Sequence, residues 1–449
     1  MKTATLRLAL AGAAMVLASA GALAQNATID NLRPYDKSGI NVFESPKSSS
    51  DFDGLRWRMG FNFVQPLQML EHESGASQTV AATTLKEIGT DFNTAVANWN
   101  VDAQLAKGVR LSVTTYLSAR HHQETWVKGG FIQFDELPFL PFGFVEDVME
   151  YTTIRVGHMQ VNYGDAQFRR SDNGNVVYNP FVENYLLDAF ATEIGAEVLV
   201  RHSGFLGLVG VTNGEIKGDV GGPKTKAPAF LFKGGYDAQL NEDLRVRLTG
   251  SLYMTEKASN GTLYDGDRGG SHYYYVLENA AASATAQFTS GRINPNLDSK
   301  LTAFVINPFV KFQGLELFGN IEFANGTSKS ADNALVLTPT STKADSATRT
   351  AQLEEREWMQ IAGDVVYRFG STEQFWVGAR YNTATGKPFK YTQEVEVSRI
   401  AASLGWFMTD AIMAKIEYVS QDYGDKWATT DTKYKGKFNG IMIEASVGF

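Results

Sequence analysis

The stretch GLRWRMGFNF, Gly54 to Phe63, puts Leu55, Trp57, Met59, Phe61 and Phe63 on one face of an extended chain and Arg56, Arg58 and Asn62 on the other. Side chains of a strand alternate between faces, so one surface is apolar and the other carries two guanidinium groups. The division recurs in Leu244 to Met254, where Arg245 and Arg247 oppose Leu244, Val246, Leu248 and Leu252. It recurs again in the final IMIEASVGF, where Ile441, Ile443, Ala445, Val447 and Phe449 oppose Met442, Glu444, Ser446 and Gly448. A soluble sandwich strand also alternates. What surrounds these strands decides which medium lies outside.

The surrounding unit is a pair of strands joined by a tight turn. His202-Ser203-Gly204 and Asn241-Glu242-Asp243 join two such pairs, and Lys107-Gly108, Gln313-Gly314, Gly370 to Gln374 and Met408-Thr409-Asp410 join others. These are hairpin spacings. Long polar stretches separate the pairs, near 65–91, 162–191, 214–227, 256–300, 326–355 and 422–437. Tight turns at one end and long loops at the other are the asymmetry of an outer-membrane barrel, with short periplasmic turns and long extracellular loops.

Counting candidate strands gives an all-β, transmembrane antiparallel β-barrel of about sixteen strands, with every tight turn on one side. The join from Asp135 to Glu150 sits on the turn side yet is long and holds Pro138 and Pro141, which widens the range to fourteen to eighteen. Aromatics collect beside the turns, at Phe205, Phe312, Phe369, Phe375, Trp406, Phe407 and the terminal Phe449. A girdle of rings at the membrane boundary explains that placement.

Composition and targeting agree. Lys2 and Arg7, an apolar run from Leu8 to Leu17 and Ala22-Leu23-Ala24 before Gln25 read as a secretory signal over residues 1–24. Residues 25–54 then form a periplasmic N-terminal segment and 55–449 the barrel. The segment 25–54 reads as too short and hydrophilic to plug the apolar lumen of a hydrophobic-solute transporter. Removing Lys2 and Arg7 and no acid moves the net charge from −8 to −10, which argues against a nucleic-acid partner. The chain has no cysteine, so neither disulfides nor thiolate metal sites hold it together.

An arginine facing hydrocarbon near the bilayer midplane costs about 2–4 kcal/mol, so the arginines belong to the inner face. Parity places Arg56, Arg58, Arg110, Arg120, Arg155, Arg245, Arg247, Arg380 and Lys415 there, as pore-lining, anion-binding candidates. Glu193, Glu197, Glu322, Glu417 and Glu444 share that face, so ion pairs that brace the wall are an equal reading. The 162–191 loop, carrying Asp165, Arg169, Arg170, Asp172 and Glu183, is the candidate to fold inward and form the constriction. Its aromatics Phe168, Tyr178, Phe181 and Tyr185 would otherwise be exposed.

The segment IRVGHMQVNYGDAQFRRSDNG, Ile154 to Gly174, preceded by FDELPF at Phe134 to Phe139, resembles the strand and inward loop of the phosphate-selective porin O and P family. Arg155, Gly157, Met159, Tyr163 and Gly164 match its run of Arg, Gly and aromatic positions. LGWFMTDAIMAKIEYV, Leu404 to Val419, is similar to a strand, turn and strand near the end of such porins. Family members usually carry Pro-Phe-Gly where this chain has Asn162-Tyr163-Gly164.

The resemblance implies a porin in the outer membrane of a Gram-negative bacterium, passing small hydrophilic solutes by diffusion, with room for an anion preference toward phosphate or carboxylates. The alternative is a ligand-specific outer-membrane transporter or binding barrel. Expected partners are outer-membrane lipid, the barrel-assembly machinery through Phe449, and further copies in a homotrimer. No enzyme emerges: His202-Ser203 are adjacent in a tight turn and His121-His122 adjacent on a strand, so their side chains diverge. The carboxylates are too dispersed to assign an acid and base, and no cofactor is implied.

Overall fold

The computed structural model describes residues 28–48, 51–118, 124–218, 220, 226–266 and 269–449. The proposed signal, residues 1–24, lies outside the described residues. Among those described are seventeen strands: β1 (Arg56–Glu73), β2 (Thr90–Phe92), β3 (Val96–Ala106), β4 (Val109–Ser118), β5 (Glu124–Phe134), β6 (Thr152–Gln160), β7 (Thr192–His202), β8 (Phe205–Thr212), β9 (Ala229–Gln239), β10 (Leu244–Thr255), β11 (Leu301–Phe312), β12 (Leu315–Gly326), β13 (Arg356–Phe369), β14 (Phe375–Gly386), β15 (Val395–Phe407), β16 (Ile412–Asp422) and β17 (Lys437–Gly448). Each pairs antiparallel with its neighbours, and β17 pairs with β1 to close the ring.

β2 and β3 are one stave with a break. Both pair with β1, Leu67 opposite Phe92 and Val64 opposite Val96, so two residues of β1, Gln65 and Pro66, face the three-residue gap 93–95. Pro66 has no N–H to give the ladder. The Gln65 side-chain amide bonds the Asn93 carbonyl instead, at 2.7 Å, and Asn93 N–H donates to the Pro66 carbonyl. The barrel therefore has sixteen staves. β1 runs nine residues past the end expected at 64 because its alternation continues through the proline.

Burial alternates as the sequence pattern requires. In β13, Arg356, Trp358, Gln360, Ala362, Asp364, Val366 and Arg368 are buried, while Ile361, Val365, Tyr367 and Phe369 are exposed. At the turn end a ladder of outward rings crosses three strands, with Tyr367 against Phe369 at 6.1 Å, Phe369 against Phe375 at 5.6 Å and Phe375 against Trp406 at 6.1 Å. Phe205 meets Tyr236 at 5.0 Å, and Phe449 meets Phe61 at 6.3 Å. A closed ring leaves no open sheet edge, which is what a β-structure inside a bilayer requires.

Among the described residues two α-helices lie outside the staves. α1 (Gly143–Tyr151) occupies the long turn-side join, which adds no strand to the sixteen staves. α2 (Lys343–Leu353) lies in the loop between β12 and β13, and its capping box is made by Thr342 and Asp345.

The interior is filled rather than open. Residues 28–48 run as a strap across the turn-side mouth. Lys37 N–H bonds the Asp410 carbonyl at 3.0 Å, Arg245 donates to the Asn41 carbonyl at 2.9 Å, and Lys47 reaches the Asp135 carbonyl at 2.7 Å. Wall glycines admit the strap, since a Cβ on Gly60 would lie 2.1 Å from the Tyr35 ring. The segment is too hydrophilic for an apolar lumen, yet it lodges in this one because its polar groups find partners on the ionic inner wall. At the other end the 256–300 loop descends onto β13–β17 and joins a buried apolar cluster that includes Leu186, Leu187, Tyr273, Leu277, Phe438 and Met442.

Candidate functional site

The middle of the barrel is crossed by residues 161–191. On one side Asn173 Nδ2 bonds Asn98 Oδ1 at 2.8 Å. On the other, Val182 N–H donates to Glu417 at 2.8 Å, and Leu186 and Leu187 N–H to Asn382 and Gln360 at 2.6 and 2.7 Å. Short polar side chains on the inward positions of facing strands thus satisfy backbone that would otherwise be orphaned. The backbone comes close enough to exclude any side chain at Gly174, where a Cβ would sit 2.5 Å from Ala97 Cα.

Four ionic clusters tie strap, loops and wall together. In the first, Asp165 accepts two bonds from Arg247 (2.7 and 2.8 Å), an ion pair from Lys233 (2.7 Å) and the Thr249 hydroxyl (2.7 Å). Glu44 of the strap pairs with the same two cations, at 2.9 Å to Lys233 and 2.8 Å to Arg247. Asp237, partly exposed, adds a third acid by pairing with Arg247 at 2.9 Å. In the second, Glu316 holds Arg169 at 3.1 Å and Arg368 at 2.7 Å and accepts from Asn41 of the strap. The third joins the two long loops, since Asp188 binds both Arg170 and Arg292 at 2.6 Å. In the fourth, Lys415 pairs with Glu444 at 2.9 Å and donates to the Phe181 carbonyl at 2.6 Å, while His272 closes on Glu444. Such pairs, taken out of water, persist only where both partners stay engaged.

The sequence-derived candidates can be placed one by one. Arg58 pairs with Asp102 (2.7 Å), Arg110 with Asp135 (2.8 Å), Arg155 with Glu197 (3.4 Å), Arg245 with Asp237 (2.7 Å) and Arg380 with Asp364 (2.7 Å). With Arg247, Arg169, Arg170 and Lys415 they all sit inside the barrel, and each is matched by a carboxylate. Arg56 sits at the turn-side rim, exposed and paired with Asp53 at 2.6 Å. Arg120 lies outside the described residues. The hydrated arginine lining that the pattern suggests is largely replaced by ion pairs.

Other interior groups were not singled out. Lys233, Arg356, Arg368 and Arg399 are inward residues of β9, β13 and β15, and the parity that selected Arg247 selects them too. Arg33 and Glu44 of the strap had no such signal, because the strap is not a strand.

Between strap, crossing loop and the β3–β6 wall lies a polar cavity of about 200 Å³. Its charged lining is Arg33, Lys128, Arg155, Arg170 and Asp172, four cations against one acid. Arg33 is held by carbonyls rather than a carboxylate, donating to Gly39 at 2.9 Å and Phe168 at 2.8 Å, with its guanidinium 3.5 Å from the Tyr178 ring centre. Lys128 is engaged with Asp172. A wider recess of about 470 Å³, lined by Glu44, Arg201, Asp237 and Arg245 among others, opens at the turn end. Among the described residues no cluster of His, Asp and Glu suits a metal ion.

No family model matches the chain, and no curated protein does. Among solved structures it is similar to an anion-selective porin from Comamonas acidovorans, with a TM-score of 0.51 at 8% identity over 88% of this chain and 100% of that one. The outer membrane channel DcaP of Acinetobacter baumannii gives 0.48 at 10% identity, covering 90% and 100%. OmpT of Vibrio cholerae gives 0.47 at 10%, with the same coverage. At these identities the likeness is one of fold. The chain folds as a closed sixteen-stave barrel of the bacterial outer-membrane porin type.

Proposed function

We propose that this barrel spans the outer membrane as a channel for small hydrophilic solutes, and that the described conformation is its occluded state. The observation that carries the reading is the two-sidedness of the wall: apolar side chains and aromatic ladders outside, ionic and amide side chains inside, around a ring with no free edge. Lipid outside and a polar passage inside is the arrangement in which that pattern costs least. An anion preference belongs to the proposal, and so does the likeness to the phosphate-selective porin O and P family. The cations that line the 200 Å³ cavity support the preference, Arg33 most of all because carbonyls rather than a carboxylate hold it. Arg155, Arg170 and Arg33 offer planar donors suited to phosphate or carboxylate oxygens.

Planar-bilayer recording under a salt gradient tests this. Ohmic steps with a reversal potential toward the anion side are expected, and a cation-side reversal rejects the preference. Removing Arg169 and Arg170 together should then move the reversal potential toward cations, because Glu316 and Asp188 lose partners. A ligand-specific barrel is the second reading. It is favoured by the filling of the lumen by the strap and both long loops, and silent bilayers with saturable solute binding would select it. A homotrimer is also part of the proposal. Outward Gly207, Gly234 and Gly250 lie in one register row and leave a shallow apolar groove on the wall, a face another copy could cover. Unheated gel mobility reads the assembly.

A further inference from the structure

The joins at the turn end are two to five residues long, with one exception: between Phe134 and Thr152 lie seventeen residues, including α1. This join carries a cluster of exposed apolar side chains. Phe139, Phe142, Phe144 and Val148 are 61, 53, 68 and 56% exposed, with Leu140 and Tyr151 beside them. Phe142 and Phe144 stack on each other at 5.9 Å. Six large apolar side chains gathered in one short segment ask for a cover.

The helix has three distinct sides. Phe144, Val148 and Tyr151 fall on one stripe at spacings of four and three. Met149, 4% exposed, turns onto the barrel rim. Glu146, Asp147 and Glu150 occupy the remaining flank, exposed. The position is fixed at both ends. Phe139 packs edge-on against Phe134 at 6.2 Å, Tyr151 packs edge-on against His202 at 4.8 Å, and the Lys47 ammonium bonds the Met149 and Thr152 carbonyls at the helix C-terminus. A cation at that end also suits the helix dipole.

We infer that α1 and the residues leading into it form an interfacial anchor, laying Phe139, Phe142, Phe144 and Val148 into the headgroup boundary of a zwitterionic lipid leaflet. This rests on the membrane-spanning reading of the wall. Continuity argues for lipid, since Val156 of β6, Val198 and Val200 of β7 and Phe205 of β8 are exposed outward apolar residues on the neighbouring staves. The apolar stripe of the helix extends that surface past the rim. Charge decides the kind of lipid. The join 135–151 contains no Lys, Arg or His; of its five acids Asp135 and Glu136 are paired with Arg110 and Lys107, and the exposed Glu146, Asp147 and Glu150 on the helix repel anionic headgroups rather than recruit them. The acidic flank faces water and sets how deep the helix can sink.

The absence of cysteine makes single-site spin labels straightforward. Full-length Phe144→Cys, Val148→Cys, Asp147→Cys and the wall control Val200→Cys are refolded into phosphatidylcholine bilayers, with heat-dependent gel mobility confirming the barrel. Collision rates with lipid-soluble oxygen and a water-soluble nickel complex are then compared. Labels at 144 and 148 should follow the wall control in favouring oxygen, and the label at 147 should favour nickel. Nickel-favouring labels at 144 and 148 beside an oxygen-favouring wall overturn the anchor alone. Nickel-favouring labels at all four sites overturn the membrane-spanning reading itself. Labels at 144 and 148 shielded from both reagents and broadened by neighbouring spins assign the surface to a second copy and overturn the lipid anchor.

Discussion

The outer face and the interior of this barrel obey opposite rules. Outside, Leu248, Val365, Ile400 and Leu404 are exposed apolar residues whose neighbours are other apolar residues. Inside, Lys233, Arg247, Asp165 and Glu44 are all but fully removed from solvent, and each meets a charge of opposite sign. The comparison teaches that one alternating pattern specifies both surfaces while saying nothing about what stands against them. Lipid needs no partner residues. A buried guanidinium does, and those partners come from segments far away in the chain.

The comparison can be broken most severely from the inside. Asp165→Ala leaves Lys233 with Glu44 and Arg247 with Glu44 and Asp237; breaking a buried pair costs about 3–5 kcal/mol where no acid remains, so the loss here should lie at or below the low end of that range. A lowered urea midpoint for refolding into lipid vesicles checks it. An unchanged midpoint would mean that water reaches the cluster. From the outside, Leu248→Arg puts a charge into hydrocarbon at the cost of about 2–4 kcal/mol, whereas Arg247, one residue earlier, is stabilising. Equal tolerance of charge at 247 and 248 would dissolve the distinction.

Smaller effects sharpen the contrast. Among the loops beyond the staves, burial and the neighbouring Asp265 raise the Asp298 carboxyl to about 7. Its folded pKa lies above the unfolded value, so the folded loop holds the extra proton. Stability from this group is full below about pH 4 and falls as pH rises toward 7. Amide protection around residue 298, taken relative to the intrinsic exchange rate at each pH, should be lower at pH 8 than at pH 5.5, and unchanged protection would reject the assignment. Least of all, Arg56→Ala should leave the urea midpoint for refolding unchanged, because its pair with Asp53 sits in solvent at the rim.

The staves were legible because a period of two survives any context. Arg58, Arg110, Arg247 and Arg380 fell on the inner face by parity alone, and the aromatics at 369, 375 and 406 marked the turn end. Where local signals conflicted, the reading went astray. The polar stretch from 65 ended the first strand early, yet the residues on both sides of Pro66 keep alternating and only the partner stave breaks. Pro138 and Pro141 obscured α1, although the acidic and apolar spacing from Phe144 to Tyr151 is helical. The Thr342–Asp345 capping box was a signal for α2 that went unread. The strap was not legible at all. Nothing local in residues 28–48 announces that Glu44 meets Lys233 and Arg247, or that Tyr35 needs the glycine at 60. Those contacts exist only after sixteen staves have closed around them.

The central claim is that the wall encloses a passage which the strap occupies. Conductance of the full chain in planar bilayers, set beside that of a variant lacking residues 28–48, tests it most directly. Small or infrequent steps from the full chain, rising several-fold and becoming stable in the deletion, are the predicted result. Identical large ohmic steps from both proteins, or silence from a deletion variant that has folded, would contradict it.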